Sequence, residues 1–106
     1  MSRSPQLLPD AYAELETAKA WYDEERAGLG AELINAVDQA LRSIGRSPGA
    51  GSPVEFVQPG PEVRRIAVAR FPYQVIYIVV DGEATVIAVA HERRRPGYWK
   101  ARITDA

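Results

Sequence analysis

The sequence contains no cysteine, which excludes disulfides and thiolate metal sites together. It holds one histidine, His91, so any mechanism that needs two imidazoles is excluded as well. No stretch approaches the ~18 apolar residues of a membrane-spanning helix. The opening Met1-Ser2-Arg3-Ser4-Pro5 lacks the apolar run of a signal peptide. These absences predict a cytoplasmic protein with no membrane partner, no metal and no cofactor. A strong charge of either sign is also missing, with a formal net charge of −1 and a pI near 5.8. Proteins that grip a nucleic-acid backbone ordinarily carry a broad basic face, and here basic charge is only local. Residues 1–53 hold five Lys/Arg against eight Asp/Glu, and residues 54–106 hold eight against six. The bland alternative is a solvated surface of uneven charge.

What is present is an ordinary globular composition, 46% hydrophobic and 25% charged over 106 residues, predicting one domain spanning 1–106. Residues 4–8 suit a short extended segment that Pro5 confines to a sheet edge. Pro9-Asp10 supplies helix-start chemistry, with Asp10 the expected cap. Ala11, Leu15, Ala18 and Tyr22 then recur at helical spacing, with Trp21 beside them and Glu14, Glu24 and Glu25 expected on the wet side. This helix should end near Arg26. Gly28-Leu29-Gly30 reads as a tight turn into a second helix striped by Leu33, Ile34, Val37, Leu41 and Ile44. That helix is expected to stop at Gly45 and Ser47-Pro48-Gly49. A Pro/Gly-rich loop over 47–53, a short strand over 54–57 and a turn at Gln58-Pro59-Gly60-Pro61 come next.

Three strands complete the expected α+β pattern, a helical hairpin packed on an antiparallel meander. Residues 64–69 form the first. Tyr73–Val80, apolar on both faces, is central. Asp81-Gly82 is a two-residue hairpin signal, and Glu83–His91 returns alongside. With Val80 opposite Glu83, paired numbers sum to 163. Tyr77 then meets Val86, Val75 meets Ala88 and Tyr73 meets Ala90, while Ile76 meets Ile87 and Gln74 meets Val89.

Several quoted segments together carry a resemblance: Ala11-Tyr12-Ala13-Glu14-Leu15, Trp21-Tyr22, Gly28-Leu29-Gly30, Ser47-Pro48 and Arg64-Arg65-Ile66. The most specific are Phe71-Pro72-Tyr73-Gln74-Val75-Ile76-Tyr77 and His91-Glu92-Arg93-Arg94-Arg95-Pro96-Gly97-Tyr98-Trp99. Over nearly its whole length the chain resembles the RelE/ParE toxins of type II toxin–antitoxin systems. The resemblance implies a growth-inhibiting toxin neutralised by a cognate antitoxin, of the kind that stabilises plasmids or chromosomes. It also implies an initial strand, a helical hairpin and an antiparallel sheet. RelE-like members cut mRNA on the ribosome, whereas ParE-like members inhibit DNA gyrase. Fold alone does not choose between them.

The residues favour the ParE-like reading. A ribonuclease needs a base, an acid and cations around the phosphate. Nuclease members that look similar carry an arginine where this chain has Gln74, and an amide cannot replace a guanidinium there. If the chain is a nuclease, Arg65, His91 and Arg94 are the candidate catalytic residues. For target binding the candidates are Arg64, Arg65, Arg70, Tyr73, His91, Arg93, Arg94, Arg95, Tyr98 and Trp99. Each has a plainer alternative: His91 a hydrogen-bonded strand end, the arginines solvated or edge-protecting charges, Trp99 a core residue, and Trp21-Tyr22 hairpin packing. An inactive member that only binds its antitoxin is a third possibility.

Overall fold

The computed structural model describes residues 4–54 and 60–105. In chain order the elements are β1 (Gln6–Leu7), α1 (Pro9–Glu25), α2 (Leu29–Arg46), β2 (Ser52–Pro53), β3 (Glu62–Ala67), β4 (Tyr73–Val80) and β5 (Glu83–His91). A 3-10 helix, Lys100–Asp105, follows. The strands form one sheet in the order β1-β5-β4-β3-β2. β1 runs parallel to β5, and the other neighbours are antiparallel. This is the expected α+β architecture, and the extended segment near the start does form an edge strand.

α1 begins two residues earlier than an Asp10 cap requires. Pro9 sits in its first turn, where a missing N–H costs nothing, and Leu8 is the N-cap without a side-chain bond. Asp10 instead lies 3.5 Å from Arg102. Ala11, Leu15 and Ala18 are buried as the spacing predicts. Of the three residues expected in the interhelical turn, only Gly28 adopts a left-handed φ, +89°. Leu29 and Gly30 already belong to α2. The Gly30 N–H donates to Asp23 Oδ1 at 2.8 Å, so the last turns of α1 cap the start of α2. A Cβ on Gly30 would stand 2.5 Å from that oxygen. α2 buries Leu33, Ala36, Val37, Ala40 and Ile44, and runs through Gly45 to Arg46.

The strand expected over 54–57 is displaced. β2 is Ser52–Pro53, Val54 donates its N–H to the Val63 carbonyl, and residues 55–57 lie outside the described residues. Gln58 and Pro59 of the expected turn do too. β3 starts two residues before the expected 64 and stops at Ala67. From there the Val68 N–H reaches Tyr73 and the chain turns through Arg70, at φ +70°.

The β4–β5 hairpin has the expected ends, but its register holds only near the turn. Val80 pairs with Glu83 and Tyr77 with Val86. Beyond a bulge opposite Ile76/Tyr77, Ile76 pairs with Ala88, Val75 with Val89, Gln74 with Ala90 and Tyr73 with His91. One extra residue in β5 breaks the alternation. Val86 and Val89 both face the helices, while the consecutive Ile87 and Ala88 face the other way.

The sheet is therefore covered on both sides. The helical hairpin packs with Val68, Val75, Tyr77, Val86 and Val89 on one face. On the other face Trp99 packs with Val63, Ile76, Ile78, Ile87, Ala88 and Ala90. Among the described residues no helix is long and apolar enough to cross a membrane.

Candidate functional site

His91 ends β5 on the helix-facing side, because the bulge has reversed the alternation before it. Its ring meets Tyr73 edge-on at 5.0 Å. Tyr73 in turn lies 6.3 Å from Tyr22, which contacts Trp21 at 4.9 Å and Phe71 at 5.1 Å. The rings of His91, Tyr73, Tyr22 and Trp21 wall an open cleft of about 920 Å³ between α1, the ends of β4 and β5, and the segment after β5. That volume falls in the range of ligand-sized sites, roughly 300–1,000 Å³. Trp21 forms a rim and is 55% exposed. Helical spacing set it beside the α1 stripe, and only the neighbouring elements reveal that it overhangs a cleft.

The turn after β5 is tightly organised. The Arg93 N–H donates to His91 Nδ1 at 3.0 Å, and the Arg94 N–H to the His91 carbonyl at 3.0 Å. A lone pair on Nδ1 is thus engaged, which assigns the ring proton to Nε2 in the neutral imidazole. Glu92 donates its N–H to Pro72, joining this turn to the one before β4. Arg93 and Arg95 are exposed. Arg94 lines the cleft with His91, and its guanidinium carbon stands 3.9 Å above the Tyr98 ring centre.

Beneath that stack lies Glu14, which sequence reasoning placed on the wet side of α1. It is 18% exposed and accepts hydrogen bonds from three segments. The Val89 N–H reaches it at 3.0 Å, the Tyr98 hydroxyl at 2.7 Å, and Arg102 through Nη1 at 3.0 Å and Nη2 at 3.1 Å. Arg102 Nη1 also donates to the Ile87 carbonyl at 3.0 Å. β1 pairs with β5 only near Thr85 and Val86, and these two side chains supply partners to the Val89 N–H and the Ile87 carbonyl on the remaining edge. Burial, then the hydrogen bond to the Glu14 carboxylate, pushes the Tyr98 phenol well above its ordinary value. Burial raises Tyr73 and Tyr22 in the same direction. The signal for Glu14 was available: it lies three residues after Ala11 and four before Ala18, on the buried stripe itself.

The other candidates are dispersed. Arg64 pairs across the sheet with Tyr77 and folds over the preceding loop, donating to the Gly51 carbonyl at 2.6 Å and forming an ion pair with Glu62. Arg65 is opposite Ile76, and so faces the Trp99 side, away from His91. The hypothetical nuclease trio Arg65, His91 and Arg94 is consequently split between the two faces. Gln74, paired with Ala90, is also on the face opposite His91. Arg70 stands at the same end of the sheet as the basic turn, 3.8 Å from Glu32 and 70% exposed. Trp99 is 4% exposed and packs in the core on the face away from the helices. Among the described residues, no three His, Cys, Asp or Glu side chains cluster to hold a metal.

A sequence model of the ParE toxin of the type II toxin–antitoxin system parDE matches residues 6–96. The chain belongs to the ParE toxin family. No curated protein sequence matches it significantly. Among solved structures, one described as the chromosomal ParDE TA system from P. aeruginosa is similar, with a TM-score of 0.70 at 19% identity. The similarity covers 85% of this chain and 96% of that one. At that identity the likeness speaks for the fold, and it agrees with the sheet order and the helical hairpin described above.

Proposed function

We propose that this ParE-family toxin acts in the cytoplasm by binding and inhibiting DNA gyrase, without chemistry of its own, and is neutralised by a cognate antitoxin. The match to the ParE toxin over residues 6–96 carries the reading. Two features of the site support a binding role. Arg65 lies across the sheet from His91 and Arg94, so these groups do not converge on one phosphate. The Nδ1 lone pair of His91 is occupied by the Arg93 N–H, and the remaining Nε2–H is a donor rather than a base. What the cleft offers instead is an aromatic wall beside exposed cations, a combination suited to protein recognition.

The deciding experiment titrates purified protein into gyrase supercoiling and, in parallel, into ribosomes programmed with mRNA. Inhibited supercoiling with intact message is the expected result, reversed by the antitoxin. Cleaved message with unaffected gyrase would replace this reading with the RelE-like one. Inactivity in both assays, with antitoxin binding retained, would mark an inactive family member.

A further inference from the structure

Arg93, Arg94 and Arg95 are adjacent in sequence, but only Arg94 lines the aromatic cleft. Among the described residues its side chain makes no direct ion pair. It rests on the Tyr98 ring, 3.9 Å from the centre. That ring is fixed from its hydroxyl end, which donates to Glu14 Oε2 at 2.7 Å. Glu14 is itself immobilised by the Val89 N–H and by Nη1 and Nη2 of Arg102. A long, flexible arginine loses rotamer freedom on binding, and prior alignment on an aromatic face reduces that loss. The chain of contacts from α1 through Tyr98 to Arg94 therefore ends at a cation held over the cleft mouth, close to His91.

We propose that Glu14 is a positioning residue, which through Tyr98 sets Arg94 at the mouth of the aromatic cleft for contact with an anionic group of the target. The first half, that Glu14 fixes Arg94, stands on geometry alone; the second rests on the target-binding reading given above. Glu14 touches no target. Beside its support of β5 and Arg102, it acts on one of the three consecutive arginines and leaves Arg93 and Arg95 untouched.

Two readouts test this separately. In NMR spectra the Arg94 side-chain protons, lying over the Tyr98 ring, should be displaced upfield from those of Arg93 and Arg95. Glu14→Ala should move them toward the positions of those two. Tyr98→Phe, which keeps the ring but loses the hydroxyl, carries the same test should Glu14→Ala fail to fold. An Arg94 signal unchanged in Tyr98→Phe or in folded Glu14→Ala overturns the proposal, whatever the target. The second readout is a double-mutant cycle on supercoiling inhibition. Tyr98→Phe should weaken inhibition, and Tyr98→Phe with Arg94→Ala should be no weaker than Arg94→Ala alone. Losses that multiply fully would mean that Tyr98 and Glu14 act elsewhere, and would overturn the positioning role. If wild-type protein leaves supercoiling untouched, the gyrase reading falls while the NMR comparison still decides whether Glu14 sets Arg94.

Discussion

Replacing Tyr77 by Phe should destabilise the protein far more than the loss of one atom suggests. Tyr77 is fully buried in β4. Its hydroxyl donates to the Pro48 carbonyl at 2.8 Å and accepts the Gly51 N–H at 2.9 Å, so a single oxygen pins both ends of the loop between α2 and β2. Removing it leaves a buried N–H without a partner, which costs about 1–3 kcal/mol. The Pro48 carbonyl is half-buried and can turn to water, so its loss adds little. Relief of the hydroxyl's own desolvation offsets part of the penalty, and a net of about 2 kcal/mol is expected. For a domain near 100 residues that corresponds to a fall in Tm of roughly 8–16 °C. Urea unfolding followed by circular dichroism should show a lower midpoint at unchanged slope, since the surface exposed on unfolding barely changes. A Tyr77→Phe variant within about 0.5 kcal/mol of wild type, the lower end for one hydrogen bond, would refute this account of the loop.

Further outcomes follow from the same geometry. Gly30→Ala should destabilise by about 1–2 kcal/mol despite the better helix propensity of alanine, because the new Cβ displaces the Asp23 carboxylate that caps α2; thermal melts check it. Lys19 and the Gly30 N–H hold the Asp23 carboxyl below the usual carboxylate range, so its contribution to stability should be present at neutral pH and vanish as pH falls through that depressed value. NMR titration of Asp23 should show the depression shrinking in Lys19→Met. Tyr22, Tyr73, Tyr77 and Tyr98 have raised phenol values, so the folded state keeps these protons longer and stability should decline as pH climbs past the ordinary value of about 10. Phenolate absorbance, recorded beside circular dichroism, reads both events. Arg93→Ala combined with Arg95→Ala should weaken gyrase inhibition in a graded, salt-sensitive way, whereas His91→Ala should retain most of it. Abolished toxicity in a folded His91→Ala protein that still binds antitoxin would contradict that ordering.

The elements marked by strong local chemistry were legible in the sequence. Asp81-Gly82 fixes the β4–β5 turn, and both strands have the ends that the apolar runs define. The α1 and α2 stripes identified the helix faces that reach the core. The bulge was hidden because Val86, Ile87, Ala88, Val89 and Ala90 are all apolar, so no polar side chain reports the change of face. β1 is two residues long and takes a partner almost eighty positions away, a pairing that local pattern does not encode. Alternation along β3 did contain the fact that Arg64 and Arg65 point to opposite faces. Glu14 was legible only by treating an acid on an apolar stripe as a question about its partners, which come from β5 and the C-terminal segment.

The bulge in β5 decides what the cleft can hold. Side chains upstream and downstream of Ile87 and Ala88 follow opposite parities relative to the helices. Regular pairing of the same residues, without the bulge, would leave every side chain in the segment chemically intact. Yet it would send Val89 into the Trp99 layer and carry His91 away from Tyr73, emptying one corner of the cleft. A point substitution changes one contact, whereas loss of the bulge would reassign a whole strand end. In this scaffold the pairing irregularity in β5, rather than any one side chain, thus sets what the sheet mouth presents.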